Sequence, residues 1–237
     1  MKKILIMLAV LALLPVAAAQ ADSVSFVGTG LGITGFQAVY GNSSGNPSSY
    51  SYGNFAGQLL LSGVVADSGR TVAGYCLDFF DYLYSPESMV ERPIAQYPGL
   101  PGDAPPNAEP GAGPKIGYLM QTYYNLAAGD ASGVTAGALQ LAIWEVAFEN
   151  PTSGYSLNSG WFTVTGNSAA VNLANTWLAG INSNSTGNAI WLDVVDGYPN
   201  QPGGQDWTVP VPEPASMLLL GSGLIGLAGV VRRRIRK

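Results

Sequence analysis

The sequence predicts an α+β fold: a β-rich, sandwich- or barrel-like core, an inserted or appended group of about three helices, and a C-terminal hydrophobic helix. Three observations carry this. Short runs of alternating or continuous apolar residues, separated by Gly/Asn/Ser/Pro turns, fill the first half of the chain. From Lys115 to Ile181 the apolar residues recur instead at helical spacing, and Ile190–Val195 returns to a strand-like run. Strands, then helices, then a strand is the element order of an α+β domain.

Ser23–Val27 alternates polar and apolar, Phe36–Tyr40 repeats the pattern, and Gly57–Val65 reads as a more buried strand. A polar loop spans 41–53, and Ser68-Gly69-Arg70 forms a turn before a strand over Thr71–Phe80. The stretch 93–114 is dense in Pro, Gly and Ala and predicts an exposed loop. Pro114 suits the start of a helix carrying Ile116, Leu119, Met120, Tyr123 and Tyr124. A second helix begins after Ser132-Gly133 or with Thr135 as its N-cap. It places Leu139, Ile143 and Val146 on one face and Gln140 and Trp144 on the adjoining one, and ends at Asn150-Pro151. A third spans Ala169–Ile181, and Tyr198–Pro210 reads as a Pro/Gly linker.

Both ends read as addressing segments. Met1-Lys2-Lys3, the apolar run Ile4–Leu14, Pro15 and the small residues around Ala19–Ala21 make up a secretory leader over 1–21. At the other end, Pro212-Glu213-Pro214 precedes an apolar run of 17 residues, 215–231, and the cluster Arg232-Arg233-Arg234-Ile235-Arg236-Lys237. At about 1.5 Å per residue the run reaches roughly 25 Å, the short limit for crossing a bilayer, with the basic cluster on the cytoplasmic side. Residues 211–237 resemble the PEP-CTERM sorting signal of Gram-negative bacteria. The resemblance implies an exosortase-type processing enzyme as partner and transient anchoring in the inner membrane. It also implies delivery to the envelope, outer surface or extracellular matrix. An extracytoplasmic domain of 22–197 is left between the signals.

Between leader and tail, only Arg70, Arg92 and Lys115 are basic against fourteen acidic residues, a net charge of −11. Such a body repels phosphate backbones, so no nucleic-acid partner is expected. The acids are scattered, and no Asp-rich calcium loop is present. With no histidine in the chain, imidazole-based hydrolysis and the usual zinc sites are excluded. No metal, other cofactor or enzymatic activity is expected. Glu145 and Glu149, the carboxylates available to a hydrolase, are spaced as on one solvated helix face.

The sole cysteine, Cys76, cannot form an internal disulfide in this exported chain and so calls for another explanation. It lies in Tyr75-Cys76-Leu77-Asp78, and Gln140 lies in Leu139-Gln140-Leu141-Ala142-Ile143-Trp144-Glu145. Over roughly 60–195 these motifs and their order resemble the thioester domains of bacterial surface adhesins. The resemblance implies a covalent bond between the Cys76 sulfur and the Gln140 side chain. Such a bond forms with loss of ammonia and is opened by an amine or hydroxyl on a surface ligand or polysaccharide. Fixed proximity and excluded water are what make attack on an amide feasible, and Tyr75, Phe79, Ile143 and Trp144 would supply the shielding. Two readings compete with it. Cys76 and Trp144 could simply fill the core, and Trp161, Trp177 and Trp191 could stack non-covalently on sugar rings in a structural, polysaccharide-associated protein.

Overall fold

Alternation of side chains across short strands builds two sheets, and a predominantly apolar, buried helix lies between them. The computed structural model describes residues 21–41, 50–52, 54–64, 70–77, 86–99, 111–149, 154–194 and 204–212. The secretory leader up to residue 20 and the C-terminal hydrophobic run 215–231 lie outside the described residues. No helix among the described residues is long and apolar enough to cross a membrane.

The strands are β1 (Ala21–Ile33), β2 (Phe36–Tyr40), β3 (Tyr50–Tyr52), β4 (Ala56–Ser62), β5 (Val72–Cys76), β6 (Glu87–Pro93), β7 (Phe162–Gly166), β8 (Ile190–Val194) and β9 (Trp207–Val209). The helices are α1 (Gly113–Gly129), α2 (Val134–Phe148) and α3 (Ser168–Leu178). Six strands close into a barrel in the order β1-β4-β5-β9-β8-β6, every neighbouring pair antiparallel, with β6 pairing back onto β1. Val24, Leu61, Val64, Val72, Met89, Leu192, Trp207 and Val209 pack into one buried cluster on these strands and their edges. A second, three-stranded sheet has the order β3-β2-β7.

The β-rich core of the expectation is thus a barrel with a side sheet. The strands expected at 23–27, 36–40, 57–65, 71–80 and 190–195 appear as β1, β2, β4, β5 and β8, with β1 running on to Ile33 and β5 ending at Cys76; residues 65, 80 and 195 of those spans lie outside the described residues. Phe79 and Asp78 lie outside the described residues. Strands β3, β6 and β7 were not anticipated. Residues 198–210 require a correction: the linker reading gives way at Trp207–Val209, which form β9, a barrel strand paired on both sides. Three residues are too short for periodicity to register; pairing with β5 and β8 makes this segment a strand.

Helix α2 is the centre of the larger core. Every residue from Ala136 to Phe148 is buried, including Gln140 and Glu145. A helix that is apolar all round must be covered all round, and α1, α3, β1, β4, β5 and β7 all pack on it. Of the two starts expected, the structure has the one after Ser132-Gly133, and Thr135 lies inside the first turn instead of capping it. Gly133 holds the N-cap in the left-handed region at φ 76°, and the Asp130 carboxylate accepts from the backbone and hydroxyl of both Ser132 and Thr135. These bonds hold the Asp130 carboxyl well below the usual carboxylate range. A Cβ on Gly133 would stand 2.3 Å from the carbonyl oxygen of Gly32 in β1. Gly133→Ala therefore meets both left-handed strain and a backbone clash. It should lower the unfolding free energy by about 2–4 kcal/mol, read by urea denaturation.

Candidate functional site

The site forms where β5 ends. β4 pairs with β5 only over Val72–Gly74, and on the other edge Tyr75 and Cys76 stand opposite Thr208 and Trp207 of β9. One residue further, the Leu77 N–H donates to the Asp206 carbonyl at 2.9 Å. The N–H and C=O of Cys76 therefore point to the side where β4 supplies no partner. Buried backbone groups need partners, and α2 provides both through one side chain. The Cys76 N–H donates to Gln140 Oε1 at 3.0 Å, and Gln140 Nε2 donates to the Cys76 carbonyl at 2.8 Å. The carboxamide takes the place of a missing strand partner.

The structure thus brings Cys76 and Gln140 together across 64 residues of sequence, but the two hydrogen bonds between them join the glutamine side chain to the cysteine's backbone. The side-chain group bonded to the sulfur is a different carboxamide: Gln205 Nε2 lies 2.7 Å from Cys76 Sγ. That is inside an ordinary nitrogen–sulfur van der Waals contact. The Gln205 carbonyl carbon, one C–N bond away from Nε2, is then no more than about 4 Å from the sulfur. Cys76 itself is 2% exposed.

The backbone next to Gln205 is fixed by Asp206. Besides receiving the Leu77 N–H, Asp206 accepts the indole N–H of Trp191 through Oδ2 and the Val194 N–H through Oδ1, each at 3.0 Å. Asp206 therefore ties the segment before β9 to the end of β5 and to β8. Sequence reasoning passed over Gln205 because it sits in a Pro/Gly-rich stretch. The one available signal was Gln205-Asp206-Trp207-Thr208-Val209, where a strand-like run follows a glutamine.

The remaining candidates are placed as follows. Tyr75 is fully buried, meets Tyr124 edge-on at 6.3 Å, and burial raises its phenol well above the usual range. Ile143 and Trp144 are buried on α2, and Trp144 meets Phe162 edge-on. Glu145 and Glu149 are not on a solvated face, contrary to expectation. Glu145 Oε1 accepts the Ser156 N–H at 2.7 Å, and Glu149 Oε1 accepts the Phe162 N–H at 2.6 Å. Both are buried, and together they clamp the chain leading into β7. Burial, aided by repulsion from Glu149 and opposed by the Ser156 bond, pushes the Glu145 carboxyl up to about 8. Its Oε2 is buried with no hydrogen-bond partner, an arrangement that a neutral carboxyl tolerates better than a carboxylate.

The three tryptophans considered for sugar stacking all make internal ring contacts. Trp177 stacks on Tyr123 at 4.1 Å, Trp191 meets Tyr97 edge-on at 5.5 Å and carries Arg92 over its ring, and Trp161 stacks near Tyr40 at 6.3 Å. Among the described residues, no cluster of three or more His, Cys, Asp or Glu side chains is arranged to hold a metal ion. Pro212 follows β9 by three residues, whereas Glu213 and Pro214 lie outside the described residues.

Comparison with known proteins finds one match. Residues 210–234 fit the PEP-CTERM protein-sorting motif. No curated protein and no solved structure matches the chain. The motif marks an exported, envelope-directed protein with an exosortase-type sorting signal. It covers none of the barrel upstream of residue 210.

Proposed function

We propose that this envelope-sorted protein forms an internal thioester between Cys76 and Gln205, and uses it to attach covalently to an amine- or hydroxyl-bearing surface ligand or polysaccharide. Gln140 is the positioning residue that fixes the cysteine's backbone. The observation that carries this reading is the 2.7 Å approach of the Gln205 carboxamide to the Cys76 sulfur. The proposal keeps the chemistry expected from the sequence and moves its acyl half from Gln140 to Gln205.

In the forming step the sulfur attacks the Gln205 carbonyl carbon, the C–N bond breaks, and the thiol proton leaves with the nitrogen as ammonia. A pre-positioned pair, its cysteine buried and its glutamine half-buried, supplies the effective concentration that makes an amide reactive, and the apolar side chains packed around Cys76 limit the water that would hydrolyse the product. In the second step a ligand amine attacks the same carbon. An amide forms, the C–S bond breaks, and the amine proton ends on the sulfur. The ligand is then linked to residue 205, and Cys76 is a thiol again.

Intact-mass measurement of the purified protein tests this. The wild-type chain should be lighter than its sequence by one ammonia and should resist alkylation at Cys76. Methylamine should then add at residue 205, located by peptide mapping. Cys76→Ala and Gln205→Ala should each have full mass, and Gln205→Ala should alkylate readily once unfolded. Full mass in the wild type would end the thioester reading and leave non-covalent matrix association. Methylamine found on residue 140 would return the acyl role to Gln140.

A further inference from the structure

The strand beside the sulfur is also the strand that leads to the sorting signal. β9 ends at Val209 and the sorting motif begins at residue 210. Gln205 stands two residues before β9. Any tether to the envelope made through that signal therefore leaves the fold directly from the end of this strand.

The chemistry above, on which this inference rests, decides what that continuity does. Once a ligand amine has opened the bond, the acyl group stays with Gln205 and the sulfur stays with β5. The covalent route from ligand to tether is then the Gln205 side chain followed by the backbone of 205–210. No other element of the domain lies on it. We propose that β9 and the two residues before it carry the force between captured ligand and cell envelope. The rest of the barrel and the helices form and shield the bond without carrying its load.

The length of the route makes the idea measurable. Five residue steps span at most about 18 Å when fully extended, and Trp207–Val209 are already extended as a strand between β5 and β8. Almost no slack can be released. Were the ligand held at Gln140, the route would run through part of α2 and then β7, α3, β8 and β9. Unravelling those elements would pay out on the order of 200 Å.

The test is a single-molecule pull on the exported full chain, held by its C-terminal end, with a DNA handle bearing a primary amine coupled through the thioester. Stretching of residues 211–237 is common to both routes and cancels. The expected trace shows no unfolding step up to rupture of the handle. A control pull between the two chain termini, at the same forces, should show the domain's long unfolding step. A step on the order of 200 Å in the amine-coupled pull would overturn the load route while leaving a thioester in place. Failure of the amine handle to couple, with full intact mass, would overturn the thioester reading and the route with it.

Discussion

Gln140→Ala is expected to lower the unfolding free energy by about 3–6 kcal/mol, measured by urea denaturation in a Cys76→Ala background so that no covalent bond intervenes. The loss has two parts. The alanine removes the acceptor of the Cys76 N–H and the donor to its carbonyl, and each buried backbone group left without a partner costs about 1–3 kcal/mol. It also opens a cavity at the middle of the most buried helix of the fold. Gln140→Leu separates the two by filling most of the volume without restoring either bond, so it should retain most of the loss. A drop of less than about 1 kcal/mol for the alanine variant would mean that the carboxamide does not substitute for a strand partner. Such a result would remove the positioning role given to Gln140.

The second large effect is a dependence of stability on pH that Glu145→Gln should remove. The Glu145 carboxyl titrates near 8 in the folded protein, against an ordinary 4.5. Over that window the folded state holds a proton that the unfolded chain has lost. Stability from this group is therefore fully present below about pH 4.5 and is lost as pH rises through about 8, with a steepest slope of about 1.4 kcal/mol per pH unit. Glu149, also raised by burial, contributes in the same direction. Glutamine at 145 keeps an oxygen to accept the Ser156 N–H and never ionises. The variant should match the wild type near pH 4.5 and exceed it at pH 8 by on the order of 2–4 kcal/mol. Thermal or urea unfolding across pH 5–8 gives the comparison. An unchanged slope would show that the burial of Glu145 is relieved in solution.

Much of the site was legible in the residues, and its missing part has a physical explanation. Cys76 stood out because an exported chain with one cysteine cannot use it for an internal disulfide. Gln140 stood out because a polar side chain interrupts an apolar helical run. Both proved to be buried at one place. Local pattern carries no record of which atom of a neighbour a side chain meets, so the reading could not distinguish a glutamine that holds the cysteine's backbone from one that reaches its sulfur. Gln205 was hidden for a further reason. It belongs to a segment whose composition signals a linker, and whose strand state comes from partners on β5 and β8 far away in sequence. The buried carboxylates of α2 were misplaced on a solvated face for a related cause. An i, i+4 acidic pair usually faces water, and the backbone N–H groups that receive these two are contributed by a later loop.

By itself the sequence determined the sorting signal, the helix spans, five of the strands and the lone sulfur as the candidate centre of any chemistry. Periodicity, terminal patterns and residue scarcity are properties of neighbours in the chain. The tertiary structure alone decided that the barrel closes through β9, that α2 is covered on every side, and that the carboxamide at the sulfur comes from Gln205. Each of these depends on contacts between distant segments, and such contacts exist only once the strands have paired.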